Sequence, residues 1–202
     1  MAEARSSAPM QVTIPAIAPR TGSALGRWFG RTILRLGGWR ITGAFPAEAR
    51  VVIIAAPHSS AWDAVWGLAA KLAMSLKIEF MAKHELFWWP LGPLLRSFGA
   101  IPTDRHSAHG VVGDTVARFA QREVLWLVLA PEGTRRRVEH WRSGFWHIAR
   151  DAGVPVVCVY FHYPERTIGV GPTLAMSGDR AADMARVRAF YAPWQGKRRG
   201  TT

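Results

Sequence analysis

Residues 51–63 read VVIIAAPHSSAWD, and this stretch decides how the rest of the chain is interpreted. Its first part, residues 51–56, is apolar and rich in β-branched side chains, which predicts a strand buried on both faces of a sheet. Pro57 ends the run, because proline has no backbone N–H to donate to a neighbouring strand. The sequence therefore places the imidazole of His58 at the carboxyl end of a buried strand.

The carboxylate of Asp63 follows His58 closely, and two interpretations of this spacing are open. The serines between them are N-cap residues that start a helix, predicted over about residues 61–76. Inside one helix, steps of about 100° would place the two side chains roughly 140° apart, so they meet only if His58 lies in the turn before the helix. Asp63 would then fix the tautomer of the imidazole and leave its other nitrogen free as a base. In the alternative, residues 60–63 form a capping box, and Asp63 only stabilises the helix start.

Composition limits the kinds of protein that this chain can be. Its 202 residues are most simply one domain with a sizeable core, and 49% apolar residues exclude a disordered chain. The 26 basic and 14 acidic residues give a net charge of +12, which predicts an anionic partner, either a lipid headgroup surface or nucleic acid. Cys158 is the single cysteine, which excludes an intramolecular disulfide and a cysteine zinc site and fits a reducing compartment. Because no segment approaches the ~20 apolar residues of a spanning helix, we expect a cytoplasmic protein that does not cross the membrane.

The N-terminal part of the chain divides into two segments of different character. Residues 1–20 are rich in Ala, Pro and Ser and are expected to be disordered. In residues 21–38, arginines recur every four positions and apolar residues fill the other faces of a helix: Arg27, Arg31, Arg35, Leu25, Trp28, Phe29, Ile33 and Leu36. Such a helix can pack its apolar stripe on the core, but the absence of acidic residues favours a basic amphipathic helix in a membrane interface. The adjacent Trp88 and Trp89 are a second apolar group, expected to meet lipid or an acyl chain.

The remaining apolar runs alternate with helical patterns. Further strands are predicted at residues 78–83, 124–130 and 154–161, a short edge strand at 167–170, and helices at 107–122, 141–152 and 179–191. This order of elements predicts an α/β fold, with a mostly parallel central sheet flanked by helices and the basic amphipathic helix at its N-terminus. We expect a single domain over residues 21–192 and a basic tail over residues 193–202 that is mobile from residue 197.

A second group of polar residues follows the most apolar strand, again at its carboxyl end. Open α/β sheets bind ligands in the crevice outside such strand ends. Gly133 permits a close backbone approach, Thr134 offers a hydroxyl and an amide, and Arg135 can clamp a phosphate through its fork of donors. The alternative is a tight turn with a solvated ion pair. Arg105 ends another short extended piece and, taken alone, is equally explained by pairing with Asp104 or by solvation.

Four short motifs occur in one order: His58-SSAW-Asp63, Gly99-AIPTD-Arg105, Pro131-EGT-Arg135 and Val154-PVV-Cys158-Val159. Together they make the chain resemble the glycerophospholipid acyltransferase family, of the 1-acylglycerol-3-phosphate acyltransferase type, over most of residues 40–175. The chain departs from the usual pattern of that family at Pro57, where Asn is usual, at Ala130, where an aromatic is usual, and at Cys158, where proline is typical. These departures concern the acceptor and the acyl chain more than the reaction type.

The resemblance implies a role for each motif. His58 would be the general base and Asp63 the residue that orients it, while Arg105 would hold the phosphate of the acceptor. The pocket for the acceptor or the transition state would be shaped by Glu132, Gly133, Thr134 and Arg135. The strand at residues 154–159 would support the site and the acyl group.

The implied reaction transfers a fatty acyl group from a thioester, acyl-CoA or acyl carrier protein, to the hydroxyl of a lysophospholipid such as 1-acylglycerol-3-phosphate. A glycerol hydroxyl is too weak an acid to ionise at neutral pH, so a base must take its proton as the bond forms. The tetrahedral oxyanion needs donors, for which the amides of Gly133 and Thr134 or the side chain of Arg135 are candidates. No metal and no cofactor are implied.

The expected partners are therefore the lysophospholipid, the acyl thioester and the anionic surface of the inner face of the membrane, with no nucleic acid. One alternative keeps the chemistry and changes the acceptor to another lysolipid or a polyol. Another is a non-catalytic membrane lipid-binding module. A nucleic-acid-binding protein would explain the basic charge but not the motifs at the strand ends.

Overall fold

The protein is described by a computed structural model that covers residues 10–103, 110–134, 138 and 140–198. The strands are β1 (Met10–Thr13), β2 (Arg40–Ala44), β3 (Arg50–Ala56), β4 (Glu79–Lys83), β5 (Ala100–Thr103), β6 (Leu125–Leu129), β7 (Val156–His162) and β8 (Thr167–Leu174). The helices are α1 (Ala24–Gly37), α2 (Trp62–Ala73), α3 (Leu91–Ser97), α4 (Gly110–Ala120), α5 (Gly144–Ala152) and α6 (Arg180–Tyr191). A short 3₁₀ turn, His84–Leu86, follows β4.

The strands form one sheet in the order β1-β2-β8-β7-β3-β6-β4-β5. Every neighbouring pair is parallel except β7 and β8, which are antiparallel. Val52 of β3 is paired with Leu127 of β6 on one side and with Val156 of β7 on the other. The carboxyl ends of β3, β4, β5, β6 and β7 therefore meet at one edge of the sheet. The predicted α/β fold with a mostly parallel central sheet is confirmed.

Strand β3 separates two hydrophobic cores. Val51 and Ile53 point to the core on the side of α1 and α2. Val52 and Ile54 point to the opposite core, which contains apolar residues of α4, α5 and α6. Because successive residues of a strand face opposite sides, a run that is apolar at every position belongs between two layers of helices. The burial predicted for residues 51–56 from their composition is confirmed for both faces.

Helix α1 begins at a serine N-cap and docks closely on α2. The Ser23 hydroxyl accepts a 3.0 Å hydrogen bond from the amide of Gly26, and Gly38 ends the helix in the left-handed conformation. At Gly30 a Cβ would come within 2.5 Å of both the Ala69 carbonyl oxygen and the Ala73 amide nitrogen. A glycine at this position thus lets the two helix backbones approach. Within the described ranges, no helix combines the length and the apolar composition needed to span a bilayer.

The structure differs from the sequence-based expectations at the β1 edge of the sheet. Residues 10–13 form β1, paired in parallel with β2, where disorder was expected over residues 1–20. Met10 and Val12 pack against the α1 side of the core, so this segment gains both backbone hydrogen bonds and apolar burial. Residues 1–9 lie outside the described part of the chain.

The strand β8 is longer than predicted and does not lie at an edge. It runs over eight residues, Thr167–Leu174, and lies between β2 and β7. The edge assignment was wrong because β2 was not recognised in the sequence: Arg40–Ala44 is short and contains Arg, Thr and Gly. Gly43 has a φ of +98°, and its missing side chain leaves room for the Val170 carbonyl.

Candidate active site

Three polar side chains, each following a different strand, lie at the edge of the sheet where the carboxyl ends of the parallel strands meet. His58 follows β3, Glu132 follows β6, and Tyr163 follows β7. These strands are neighbours in the sheet, so residues that are far apart in sequence become adjacent in space. The site is therefore assembled where an open α/β sheet ordinarily binds its ligand.

The structure brings His58 and Asp63 together. Nδ1 of the imidazole lies 3.3 Å from Oδ2 of the carboxylate. The Asp63 side chain is 1% exposed, whereas the His58 side chain is 28% exposed. The buried carboxylate thus faces Nδ1, and Nε2 lies on the other side of the ring. We call these two residues the dyad.

The same carboxylate also stabilises the start of α2. Its Oδ2 accepts hydrogen bonds from the backbone amides of Ser59 (2.7 Å) and Ser60 (2.8 Å). The same carboxylate oxygen therefore makes the contacts that both interpretations require, and the catalytic role of the pair stays a prediction. The cap position of α2 is Ala61, one residue after the predicted serines. The Ser60 hydroxyl still accepts a 3.3 Å hydrogen bond from the amide of Trp62, the first residue of the helix. Asp63, from inside the first turn, accepts the two amides that precede the helix, so both side chains satisfy donors near its start.

Glu132 supports the loop that carries His58. Its Oε1 accepts a 2.8 Å hydrogen bond from the backbone amide of His58, and the residue is 2% exposed. Burial raises the pKa of the Glu132 carboxyl to about 7, which outweighs the opposite effect of that hydrogen bond. Among the described residues, Oε2 has no hydrogen-bond partner. Glu132 thus contacts the backbone of His58, through the hydrogen bond to its amide.

This buried carboxyl predicts a pH dependence of stability. Because its pKa is about 7 when folded against 4.5 ordinarily, the folded protein holds this proton more tightly, and the free energy of unfolding should fall as pH rises from about 4.5 to about 7. In Glu132→Gln that loss should be smaller by about 1–3 kcal/mol. Urea unfolding of both proteins at several pH values measures the difference. Glu85→Gln, at an exposed position, is the matched control, and equal pH dependence in all three proteins would contradict the assignment.

Gly133 forms a tight turn after β6, as the alternative interpretation of this motif requires. Its φ is +65°, and a Cβ would come within 2.8 Å of the Arg142 side chain. Its amide, however, donates to the Ala130 carbonyl at 3.1 Å. In this conformation Gly133 is therefore not an oxyanion donor, because the turn itself uses its N–H. Thr134 follows on the same loop and is partly buried.

Two of the predicted phosphate-binding residues cannot be placed in the site. Arg105 and Arg135 lie outside the described residues. Their roles stay predictions drawn from the family resemblance. Among the described residues, no group of three or more metal-ligating side chains comes together.

Tyr163 was not singled out from the sequence. Its hydroxyl donates a 2.5 Å hydrogen bond to Oδ1 of Asp63, on the carboxylate oxygen opposite to the one that faces His58. The residue directly follows β7, the neighbour of β3. The strand predicted from the sequence ends at residue 161, one residue short of β7, so Tyr163 did not stand at the predicted strand end.

The chain after α6 folds back toward the dyad up to residue 198. Trp194 stacks on Tyr160 with ring centroids 3.7 Å apart, and the Gln195 carbonyl accepts a 2.9 Å hydrogen bond from the Tyr163 amide. The Lys197 ammonium lies 5.0 Å from the Trp62 ring centroid. The Arg198 amide donates a 3.4 Å hydrogen bond to the Ser59 hydroxyl, so the described part of the predicted tail lies against the loop that carries His58.

Comparisons with known proteins agree with this architecture. The family model described as acyltransferase matches residues 40–162. The crystal structure of the 1-acyl-sn-glycerophosphate acyltransferase PlsC from Thermotoga maritima is similar in fold, with a TM-score of 0.58 and 17% sequence identity over 85% of this chain and 80% of that one. No protein of curated function matches the sequence significantly.

Proposed function

The chain belongs to the acyltransferase family, as its motifs predicted, and on that premise we propose that it transfers a fatty acyl group from a thioester to the hydroxyl of a lysophospholipid. It is an O-acyltransferase of the α/β type. We propose acyl-CoA or acyl carrier protein as the donor and 1-acylglycerol-3-phosphate as the acceptor. The observation that carries this proposal is the 3.3 Å contact between the partly exposed imidazole of His58 and the buried carboxylate of Asp63.

In the proposed mechanism, His58 removes the proton from the acceptor hydroxyl as that oxygen attacks the thioester carbonyl. Asp63 keeps the proton of the imidazole on Nδ1, so the lone pair of Nε2 faces the substrate. The imidazolium that forms is stabilised by the carboxylate and then returns the proton to the leaving thiol. Positioned proton transfer of this kind contributes about 10²–10⁴-fold to the rate.

Cationic side chains would hold the phosphate groups of the substrates. By the family resemblance these are Arg105 and Arg135, with Glu132 and Thr134 shaping the pocket. Lys197 adds a positive charge beside Trp62, at the start of the helix that carries Asp63. Both the acceptor and either donor carry phosphate or carboxylate groups, and the net charge of +12 complements them.

We also propose that the enzyme works as a peripheral protein on the inner face of the membrane. Helix α1 presents an apolar face that the fold leaves uncovered: Leu25, Trp28, Phe29 and Leu36 are 75%, 63%, 52% and 84% exposed. At about 100° per residue these positions share one side of the helix, opposite to the side that docks on α2. Arg31 and Arg35 are exposed beside them, an arrangement suited to anionic headgroups above an apolar layer.

The proposed reaction is tested by assaying the purified full chain with lipid vesicles. Palmitoyl-CoA and palmitoyl-acyl carrier protein are each offered with 1-acylglycerol-3-phosphate, a lysophosphatidylethanolamine, a lysophosphatidylglycerol and glycerol 3-phosphate. We expect the fastest turnover with 1-acylglycerol-3-phosphate. Faster transfer to another lysolipid or to the polyol phosphate would reassign the acceptor, and no transfer to any acceptor from either donor would overturn the proposal.

A further inference from the structure

Tyr163 lies just outside the region that matches the family model, yet it contacts the dyad directly. The match ends at residue 162. The hydrogen bond from the Tyr163 hydroxyl to Oδ1 of Asp63 joins positions 100 residues apart. We propose that Tyr163 is a positioning residue, which holds the Asp63 carboxylate so that Oδ2 stays directed at Nδ1 of His58. The inference rests on the proposed function in taking this imidazole as the base.

The hydrogen bonds of Asp63 are divided between its two oxygens. Oδ2 receives the Ser59 and Ser60 amides and faces His58. In the described part of the chain, the donor to Oδ1 is the Tyr163 hydroxyl. A buried carboxylate oxygen without a donor is strongly disfavoured, so losing the hydroxyl would make the carboxylate rotate toward other donors or admit water. Either change would turn Oδ2 away from the imidazole.

The tyrosine is itself held in place from two directions. Its ring meets the buried Trp39 edge-on, with centroids 4.9 Å apart and planes at 87°. Its backbone amide donates to the Gln195 carbonyl at 2.9 Å. The hydroxyl is therefore presented to Asp63 by packing and by the backbone, as a group that orients a catalytic residue should be.

The hydroxyl also keeps the proton that it donates. Burial, followed by the hydrogen bond to Asp63, raises the pKa of Tyr163 above its ordinary value. The hydroxyl therefore stays protonated near neutral pH and acts as a donor. A hydrogen bond from a neutral hydroxyl to a carboxylate oxygen is the stronger, charge-assisted kind.

The test compares Tyr163→Phe with Tyr160→Phe. The first variant removes the hydroxyl from Asp63 and keeps the ring against Trp39. The second removes a tyrosine hydroxyl from β7 and leaves the ring that stacks on Trp194. With palmitoyl-CoA and 1-acylglycerol-3-phosphate, we expect Tyr163→Phe to lower kcat by about ten- to a hundredfold with KM unchanged, whereas Tyr160→Phe retains the kcat of the wild type.

A spectroscopic readout separates this inference from the proposed reaction. Nitrogen-15 NMR of histidine-labelled protein reports which ring nitrogen of His58 carries the proton, with the signal assigned by its loss in His58→Ala. We expect the Nδ1-protonated tautomer in the wild type and in Tyr160→Phe, and a mixture of tautomers in Tyr163→Phe. This result is independent of the acceptor, so it would still support the positioning role if the lysophospholipid assay failed.

Two outcomes of the kinetic and NMR measurements would overturn the proposal. One is an unchanged kcat and an unchanged His58 tautomer in Tyr163→Phe. The other is a parallel change in kcat, KM and melting temperature with the tautomer unaltered, which would make Tyr163 a structural residue only.

A double-mutant cycle is a further test. In an Asp63→Asn background, removing the Tyr163 hydroxyl should have little additional effect on kcat, because the carboxylate that it positions is already gone. If the effects of the two substitutions on kcat were fully additive, the proposal would be overturned.

Discussion

Replacing His58 with alanine is expected to lower kcat by about 10²–10⁴-fold, the contribution of a positioned base. The folded state should be little affected, with a change in the free energy of unfolding below about 1 kcal/mol. The reason is that Asp63 keeps its other partners: the amides of Ser59 and Ser60 on one oxygen and the Tyr163 hydroxyl on the other. The measurements are single-turnover acyl transfer and urea unfolding, made on the same preparation.

A matched control is His147→Ala, which removes an imidazole on α5 that packs edge-on against the Trp146 ring. This variant should retain turnover within about threefold of the wild type. If His58→Ala retained the turnover of the wild type, the base would have to be another group. A large loss of turnover in both variants, together with lower stability, would instead indicate that the activity falls because less of the protein is folded.

Replacing the exposed apolar face of α1 with serine should abolish binding to anionic vesicles. The variant changes Leu25, Trp28, Phe29 and Leu36 together. Burying even part of each side chain in lipid contributes about 1 kcal/mol or more, so the combined loss predicts a fall of at least about a hundredfold in the partition coefficient. These side chains are already exposed to solvent, so the fold should be unaffected.

Vesicle cosedimentation at several salt concentrations measures this partition. The control is Ile17→Ser with Val124→Ser, since both residues are exposed but neither belongs to α1. Binding of the control should weaken with salt as in the wild type, because Arg31 and Arg35 are retained and their attraction to anionic headgroups is screened. Unchanged partition of the fourfold variant would rule out α1 as the membrane contact.

Local signals in the sequence determined much of the fold and part of the site. The unbroken apolar run of residues 51–56 required a strand with helices on both faces, and the proline after it required His58 to emerge at the strand end. Gly153 ends α5 in the left-handed conformation, and the Asp179 side chain accepts hydrogen bonds from the first amides of α6. Such features are encoded within a few consecutive residues, so they can be predicted without knowing which other segments pack against them.

Only the tertiary structure decided which elements meet. Strand β8 lies between β2 and β7. This order of strands results from many weak packing interactions over the whole chain, and no short segment of the sequence encodes it. The same holds for the contact of Glu132 with the His58 amide across 74 positions and of Tyr163 with Asp63 across 100. The sequence supplied a histidine and a carboxylate at the right spacing, but the sheet order supplied the residues that hold them.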